Sequence, residues 1–182
     1  MKTLNIYTDG ACSGNQNTEN IGGWGAILEY GEAQKELYGG EVNTTNNRME
    51  MLALIVALEA VTKNNQTIRV FSDSSYLIEC FRKGWYKEWK SNGWKTKAKK
   101  TVENRDLWEK LLVHLDKQNI TFYRVKGHVN LNSKTLQPSI VYQKFLEWNG
   151  SSFSYDDFVY ITEKNHRADL LANKGIDEIK ED

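Results

Sequence analysis

Four acidic residues stand where a carboxylate is expensive to keep. Asp9 ends the apolar run Leu4-Asn5-Ile6-Tyr7-Thr8 and is followed by Gly10, and Asp73 ends a second run, Ile68-Arg69-Val70-Phe71-Ser72. Glu50 interrupts the apolar face of an expected helix, and Asp169 directly precedes Leu170-Leu171. A carboxylate at a buried strand end or on an inward helix face costs free energy unless something neutralises it. A divalent cation does so. Carboxylates from separate elements that converge on hard ions about 3.5–4 Å apart meet the requirement for metal-assisted phosphodiester hydrolysis, which needs no nucleophilic side chain. Mg²⁺ suits such a site because it takes oxygen ligands, keeps several waters and draws on substrate phosphate. Each acid alone has a plain structural account, as a strand terminator or a helix-face charge. All four together make that coincidence weak.

The elements that must position these acids follow from the hydrophobic pattern. Three strands are expected first, Leu4 to Thr8, Trp24 to Tyr30 and Gln34 to Tyr38, joined by short turn-rich connections as an antiparallel meander. A helix from Asn46 through Val61 carries Met49, Leu52, Ala53, Val56, Ala57 and Ala60 at helical spacing, with Thr45 or Asn46 as its N-cap. Thr67 to Ser72 reads as a strand buried on both faces. A helix from Ser74 to about Lys83, another from Asn104 to Gln118, a strand from Ile120 to Val125 and a closing helix from Thr162 to Ile179, capped near Thr162, complete the series. This order predicts an α/β fold: a five-stranded mixed sheet, three antiparallel strands and then two further strands, flanked by helices. The first and fourth strands are expected as central neighbours. If parallel, they deliver Asp9 and Asp73 to one sheet edge, where ligand sites of such sheets lie.

At 182 residues the chain is expected to form one domain with a single substantial core. No apolar stretch is long enough to span a bilayer, and no secretory signal opens the chain, so a cytoplasmic protein without membrane association is expected. Cys12 and Cys80 fit two reduced thiols better than a disulfide framework or a zinc site. Formal net charge is zero, but Phe81 to Thr101 holds eight basic residues (Arg82, Lys83, Lys87, Lys90, Lys95, Lys97, Lys99, Lys100) against one acid, Glu88. That +7 segment, interleaved with Trp85, Trp89 and Trp94, leaves the remainder net acidic. The arrangement suits a polyanion gripped at one place and a metal held at another.

Thr8-Asp9-Gly10-Ala11-Cys12-Ser13-Gly14-Asn15, Thr44-Thr45-Asn46-Asn47-Arg48-Met49-Glu50, Ser72-Asp73-Ser74-Ser75-Tyr76, Val125-Lys126-Gly127-His128 and Arg167-Ala168-Asp169-Leu170-Leu171-Ala172 resemble, in order and position, the motifs of bacterial type 1 ribonuclease H. The resemblance covers Met1 to His128 and then Asn165 to about Gly175. It implies a ribonuclease H-like fold and an endonuclease that hydrolyses the RNA strand of RNA–DNA hybrids by a two-metal-ion mechanism, leaving 5′-phosphate and 3′-hydroxyl ends. Two Mg²⁺, with Mn²⁺ as the alternative ion, would be held by Asp9, Glu50, Asp73 and Asp169. His128 matches a mobile-loop histidine that assists proton transfer or product release. By the same resemblance Gly10, Asn15, Asn47 and Ser75 contact the RNA strand, although the family often has a longer amide at the position of Ser75. Thr45 and Asn46 contact the DNA strand, as do Trp85, Trp89, Lys97, Lys99 and Lys100 of a basic handle, with Trp85 closest to the backbone. The physics agrees: side-chain amides read a 2′-hydroxyl, lysines bind phosphate in a salt-dependent way, and ring faces pack on sugars. Two other readings are a non-catalytic hybrid-binding domain and another metal nuclease or recombinase of this fold. The complete set of acids speaks against the first, and the handle with the Asn46-Asn47 motif speaks against the second. Asp9 lies so near Met1 that no N-terminal hybrid-binding module is expected, and nothing requires a dimer, so a monomer is expected.

The chain departs from the family between His128 and Asp169, where a short flexible loop is usual. Here Asp169 follows His128 by 41 positions. The inserted segment, about 129–164, contains Tyr142, Phe145, Trp148, Phe153, Tyr155, Phe158 and Tyr160, an aromatic content that predicts folding. Trp148-Asn149-Gly150-Ser151 fits a hairpin turn, while Val141, Phe145 and Trp148 fit a helix face. Two roles are open: an ordered insertion packed on the domain, or a lid or protein-partner surface that alters how His128 moves.

Overall fold

The computed structural model describes residues 2–14, 19–129, 131 and 138–181. Along the chain run β1 (Leu4–Ser13), β2 (Ile21–Tyr30), β3 (Ala33–Val42), α1 (Asn46–Glu59), β4 (Thr67–Ser72), α2 (Ser75–Lys83), α3 (Trp85–Ser91), α4 (Arg105–Lys117), β5 (Asn119–Arg124), α5 (Pro138–Asn149) and α6 (Tyr155–Glu181). The five strands form one sheet in the order β3-β2-β1-β4-β5. β1 pairs antiparallel with β2, and β2 with β3, whereas β1–β4 and β4–β5 are parallel. The expected mixed α/β sheet is therefore present, with the two apolar strands side by side and parallel.

Strand alternation gives the sheet two different faces. Leu4, Ile6, Ile68 and Val70 point toward α1 and α4, where Leu54, Leu58, Trp108 and Leu111 close a buried cluster. Tyr7, Phe71 and Tyr123 occupy adjacent register positions on β1, β4 and β5 and point the other way. Their rings stack at 5.2 Å and 5.1 Å between centroids. That aromatic face needs a cover. Phe145 of α5, Phe153 of the α5–α6 turn and Phe158 of α6 supply it, with Phe153 meeting Phe71 and Tyr123 edge-on. Each buried ring contributes roughly 1.5–3 kcal/mol. Most of the inserted segment is thus an ordered cover for the sheet.

The same segment closes the sheet's open edge. Backbone N–H and C=O groups on an edge strand invite pairing with another chain. On β5, the side-chain amide of Asn149 accepts from the Arg124 N–H at 2.9 Å and donates to the Arg124 C=O at 2.7 Å. Arg82 donates to the Phe122 carbonyl at 2.8 Å from the same flank.

Several boundaries differ from expectation. β1, β2 and β3 run longer, because the ladder continues through the glycines: Asp9 faces Gly25, Ala11 faces Gly23 and Gly23 faces Gly40. Trp148-Asn149-Gly150-Ser151 is not a hairpin turn; α5 runs through Asn149 and stops at Gly150, whose φ is 92°. The last helix starts at Tyr155 rather than Thr162. Ser154 and Asp157 form a reciprocal cap there: Ser154 Oγ accepts from the Asp157 N–H at 3.0 Å, and the Asp157 carboxylate accepts from the Ser154 N–H at 2.9 Å. Thr162 instead lies buried within the helix.

Candidate active site

The register that pairs Thr8 with Ser72 brings Asp9 and Asp73, the next residues on two parallel strands, to the same edge and the same face. Beyond Asp73 the chain turns sharply into α2, with Ser74 Oγ accepting from the Leu77 N–H at 3.1 Å. Glu50 reaches this edge from the first turns of α1. Thr45 fixes that helix by accepting from the Arg48 N–H at 3.1 Å. The Arg48 guanidinium then ties α1 to α4 through both oxygens of Asp106, at 3.1 Å and 2.8 Å. Gly10 lets β1 pass directly under α1, since a Cβ there would lie 2.5 Å from the Glu50 nitrogen.

Asp9, Glu50 and Asp73 each offer a carboxylate oxygen within 4.8 Å of the others. Asp9 is 3 % exposed and Glu50 7 %. Burial, reinforced by the charge of Asp73, pushes the Asp9 carboxyl up to about 9. Burial first, and then the charges of Asp9 and Asp73, hold Glu50 well above the usual carboxylate range, partly offset by the Gly10 N–H. Asp73 is also raised, again chiefly by burial. Glu50 Oε2 is buried and has no hydrogen-bond partner. Three acids that resist ionisation together, with one orphaned oxygen among them, fit the donor set of a hard divalent cation.

Asp169 arrives by a different route. α6 lies almost in contact with the backbone of β2 and β3, a fit that only small residues permit. A Cβ on Gly23 would lie 1.9 Å from the Ala172 carbonyl oxygen, one on Gly25 2.4 Å from that of Ala168, and one on Gly175 2.0 Å from that of Gly39. With Ala168 and Ala172 seated on these glycines, Asp169 falls at the rim of the acid cluster, half-buried. Gly127 does the equivalent for the loop after β5: a Cβ there would meet Asp73 Oδ2 at 2.4 Å. His128 follows with φ 57°, at the mouth of the site.

The result is one cleft of about 620 Å³ at the strands' C-terminal edge. It brings together Asp9, Gly10, Asn46, Asn47, Glu50, Asp73, Ser75, His128 and Asp169 of the expected residues. Asn15 lies outside the described residues. Thr45 sits on the outer surface beside the cleft as the α1 cap. Trp85, Trp89, Lys97, Lys99 and Lys100 do not line it. Trp85 and Trp89 are half-buried against the core, Trp89 with its ring 5.6 Å from Trp108, while the three lysines are exposed. Trp94 is buried and packs inward. The segment forms α3, then a small turn bridged between Lys95 and Thr101 that displays the lysines. Asn173, Cys12 and Tyr76 line the cleft without having been anticipated. Asn173 lies one helical turn after Asp169 and donates to its backbone carbonyl at 3.0 Å, a spacing that the sequence displays openly.

A family model described as RNase H matches residues 1–137. The ribonuclease H of Syntrophomonas wolfei subsp. wolfei is 52% identical over 128 residues, covering 70% of this chain and 86% of that protein. That of Chlorobium phaeovibrioides is 54% identical over 127 residues, covering 70% and 84%. Among solved structures, the solution structure of the PFV RNase H domain aligns with a TM-score of 0.65 at 25% identity, over 96% of this chain and 94% of that one. LC9-RNase H1, a type 1 RNase H with the type 2 active-site motif, aligns with a TM-score of 0.63 at 22% identity, over 90% and 85%. The matched family span ends before α5 and α6, so Asp169 owes its place in the cleft to the geometry of α6 rather than to that match. With its sheet, acid cluster and motif order all in agreement, the chain belongs to the ribonuclease H family, of the bacterial type 1 kind.

Proposed function

We propose that this ribonuclease H hydrolyses the RNA strand of RNA–DNA hybrids at the acid cleft, with Asp9, Glu50, Asp73 and Asp169 holding two divalent ions, Mg²⁺ or Mn²⁺. The observation that carries this reading is the buried trio, three carboxylates within 4.8 Å whose innermost oxygen has no partner. Among the described residues lining the cleft, His128 is the one basic side chain and no lysine or arginine is present, which suits the trio to an added cation. When bound, the ions supply activation of water and stabilisation of the leaving 3′-oxygen. In-line attack at phosphorus leaves a 5′-phosphate and a 3′-hydroxyl.

The side chains around the ions bind and orient. Asn47 and Ser75 are exposed on the cleft wall, where an amide and a hydroxyl can meet the RNA sugar edge and distinguish it by its 2′-hydroxyl, while the exposed Asn46 beside them serves the DNA strand. Thr45 Oγ is the acceptor in the α1 cap, which leaves its own O–H to donate to a DNA phosphate. His128, at the cleft mouth, is placed to move a proton or to help product leave. The exposed Lys97, Lys99 and Lys100 hold the DNA backbone away from the reacting centre, and the half-buried rings of Trp85 and Trp89 pack on its sugars. All four acids come from one chain, so a monomer is competent, and the two unpaired thiols suit a reducing cytoplasm.

The test labels each strand of a hybrid in turn and adds Mg²⁺, with single strands and DNA duplex as controls. Cleavage confined to RNA within the hybrid is expected. Binding without cleavage in either Mg²⁺ or Mn²⁺ would instead mark a non-catalytic hybrid-binding protein.

A further inference from the structure

α6 extends for several turns before Asp169, and its two flanks are treated differently. Along one flank every long polar side chain is spent on the sheet. Tyr160 donates to Glu29, Lys164 to Gln34 at 2.6 Å, Arg167 to Glu36 at 2.6 Å, and Glu178 accepts from Tyr38 at 2.7 Å. The other flank carries Val159, Glu163, His166, Asp169 and Asn173, residues three or four apart that share one helix face. The side chains of Glu163 and His166 are exposed and have no hydrogen-bond or ion-pair partner among the described residues.

Those two residues look into a second cavity, of about 700 Å³, that shares His128 and Asp169 with the acid cleft. Val129, Leu131 and Val159 give it an apolar wall. Because the cavity shares His128 and Asp169 with the acid cleft, a polymer bound in the cleft that extends past those two residues would enter it.

We propose that the cavity is a subsite for the ribose and phosphate of one RNA nucleotide flanking the scissile bond, His166 donating to the phosphate and Glu163 accepting from the 2′-hydroxyl. This rests on the hybrid-cleaving function proposed above. A carboxylate repels a phosphate but is a good acceptor for a hydroxyl, so the Glu163–His166 pair sorts sugar from phosphate along the helix. The apolar wall fits the carbon face of the ribose. A paired nucleotide can present this edge without leaving the duplex, because an A-like helix displays its 2′-hydroxyls across a wide, shallow minor groove. Glu163 lies on the part of α6 that precedes the family-like stretch from Asn165, beyond the span 1–137 that the family model matches, so this acceptor belongs to the chain's own extension of the helix.

The test uses hybrids with a single cleavable phosphodiester, carrying one 2′-deoxy substitution at each flanking position in turn. For the wild-type chain, kcat/KM is expected to fall about tenfold at one flanking position, the loss of one hydrogen bond to a charged group. Glu163→Ala and His166→Ala are each expected to lower kcat/KM about tenfold on the all-ribose substrate. The Glu163→Ala variant should in addition become indifferent to the deoxy substitution at that position. Both side chains are exposed, and unchanged melting curves would confirm that the variants fold. Wild-type kcat/KM in both variants, or an unaltered deoxy profile in Glu163→Ala, would overturn the subsite while leaving hybrid cleavage standing. A wild-type chain inactive on every hybrid would overturn both.

Discussion

At the scale of single residues, the site is a compromise between packing and charge. Asp9, Glu50 and Asp73 are buried close together, and without a cation they are held by protons that water would otherwise remove. The consequence is a pH-dependent stability with a definite sign. The Asp9 carboxyl is raised from 3.8 to about 9, so between those values the metal-free folded chain keeps a proton that the unfolded chain releases. Stability from this group is complete below about pH 4 and is lost as pH rises toward about 9. Melting in chelator should therefore fall from pH 5.5 to pH 9, and Asp9→Asn should melt higher than the wild type at pH 8 with a flatter profile. Each kcal/mol recovered is worth roughly 2–4 °C in a chain of this size. A variant that melts lower at pH 8 would contradict the electrostatic account. His128 belongs to the same scale but to a different step. Because it stands at the mouth, outside the buried trio, His128→Ala should lower kcat about 10²-fold with a smaller change in KM, read by steady-state kinetics.

At the scale of elements, the placement of Asp169 depends on how closely α6 lies on the sheet. A Cβ on Gly25 would sit 2.4 Å from the Ala168 carbonyl oxygen, so Gly25→Ala must push the helix away one residue before the acid. Overpacking of this kind costs about 1–3 kcal/mol, or roughly 2–12 °C in melting temperature, and turnover should fall as well. Differential scanning calorimetry with a parallel activity assay checks both; lowered stability with full turnover would mean that Asp169 is not held by this contact. The glycines concerned also explain which parts of the fold were legible in the sequence. Apolar runs ending in Asp9 and Asp73 gave the two central strands directly, and helical spacing gave α1 and α4. Gly22, Gly23, Gly39 and Gly40 look like strand breakers locally, yet they remain in the ladder because a helix lies on them. That reason is a contact with residues far along the chain, which no local pattern encodes. The start of α6 is a different case. Ser154-x-x-Asp157 is a readable cap, but the dense aromatics around it fit strand and helix alike, so Thr162 competed as the starting point. The rings of Phe145, Phe153 and Phe158 make sense only once Tyr7, Phe71 and Tyr123 are known to share a face.

At the scale of the whole molecule, zero net charge conceals an uneven distribution of charge. An acid cleft lies at one sheet edge, while α3 and the turn after it display lysines elsewhere. Replacing Lys97, Lys99 and Lys100 together with Gln should weaken hybrid binding and flatten its dependence on salt. The log–log slope should become shallower by about 0.7–0.9 for each phosphate that the lysines no longer neutralise. Fluorescence anisotropy across a salt series measures this, and an unchanged slope would remove the handle from the mechanism. Binding by the handle and chemistry at the cleft should then be separable. The most direct check is Asp73→Asn, with cleavage of an end-labelled hybrid in Mg²⁺ and affinity for the same hybrid measured on one preparation. Loss of cleavage with affinity retained is the predicted result; turnover near that of the wild type would contradict the assignment of the acid cluster as the metal-holding centre.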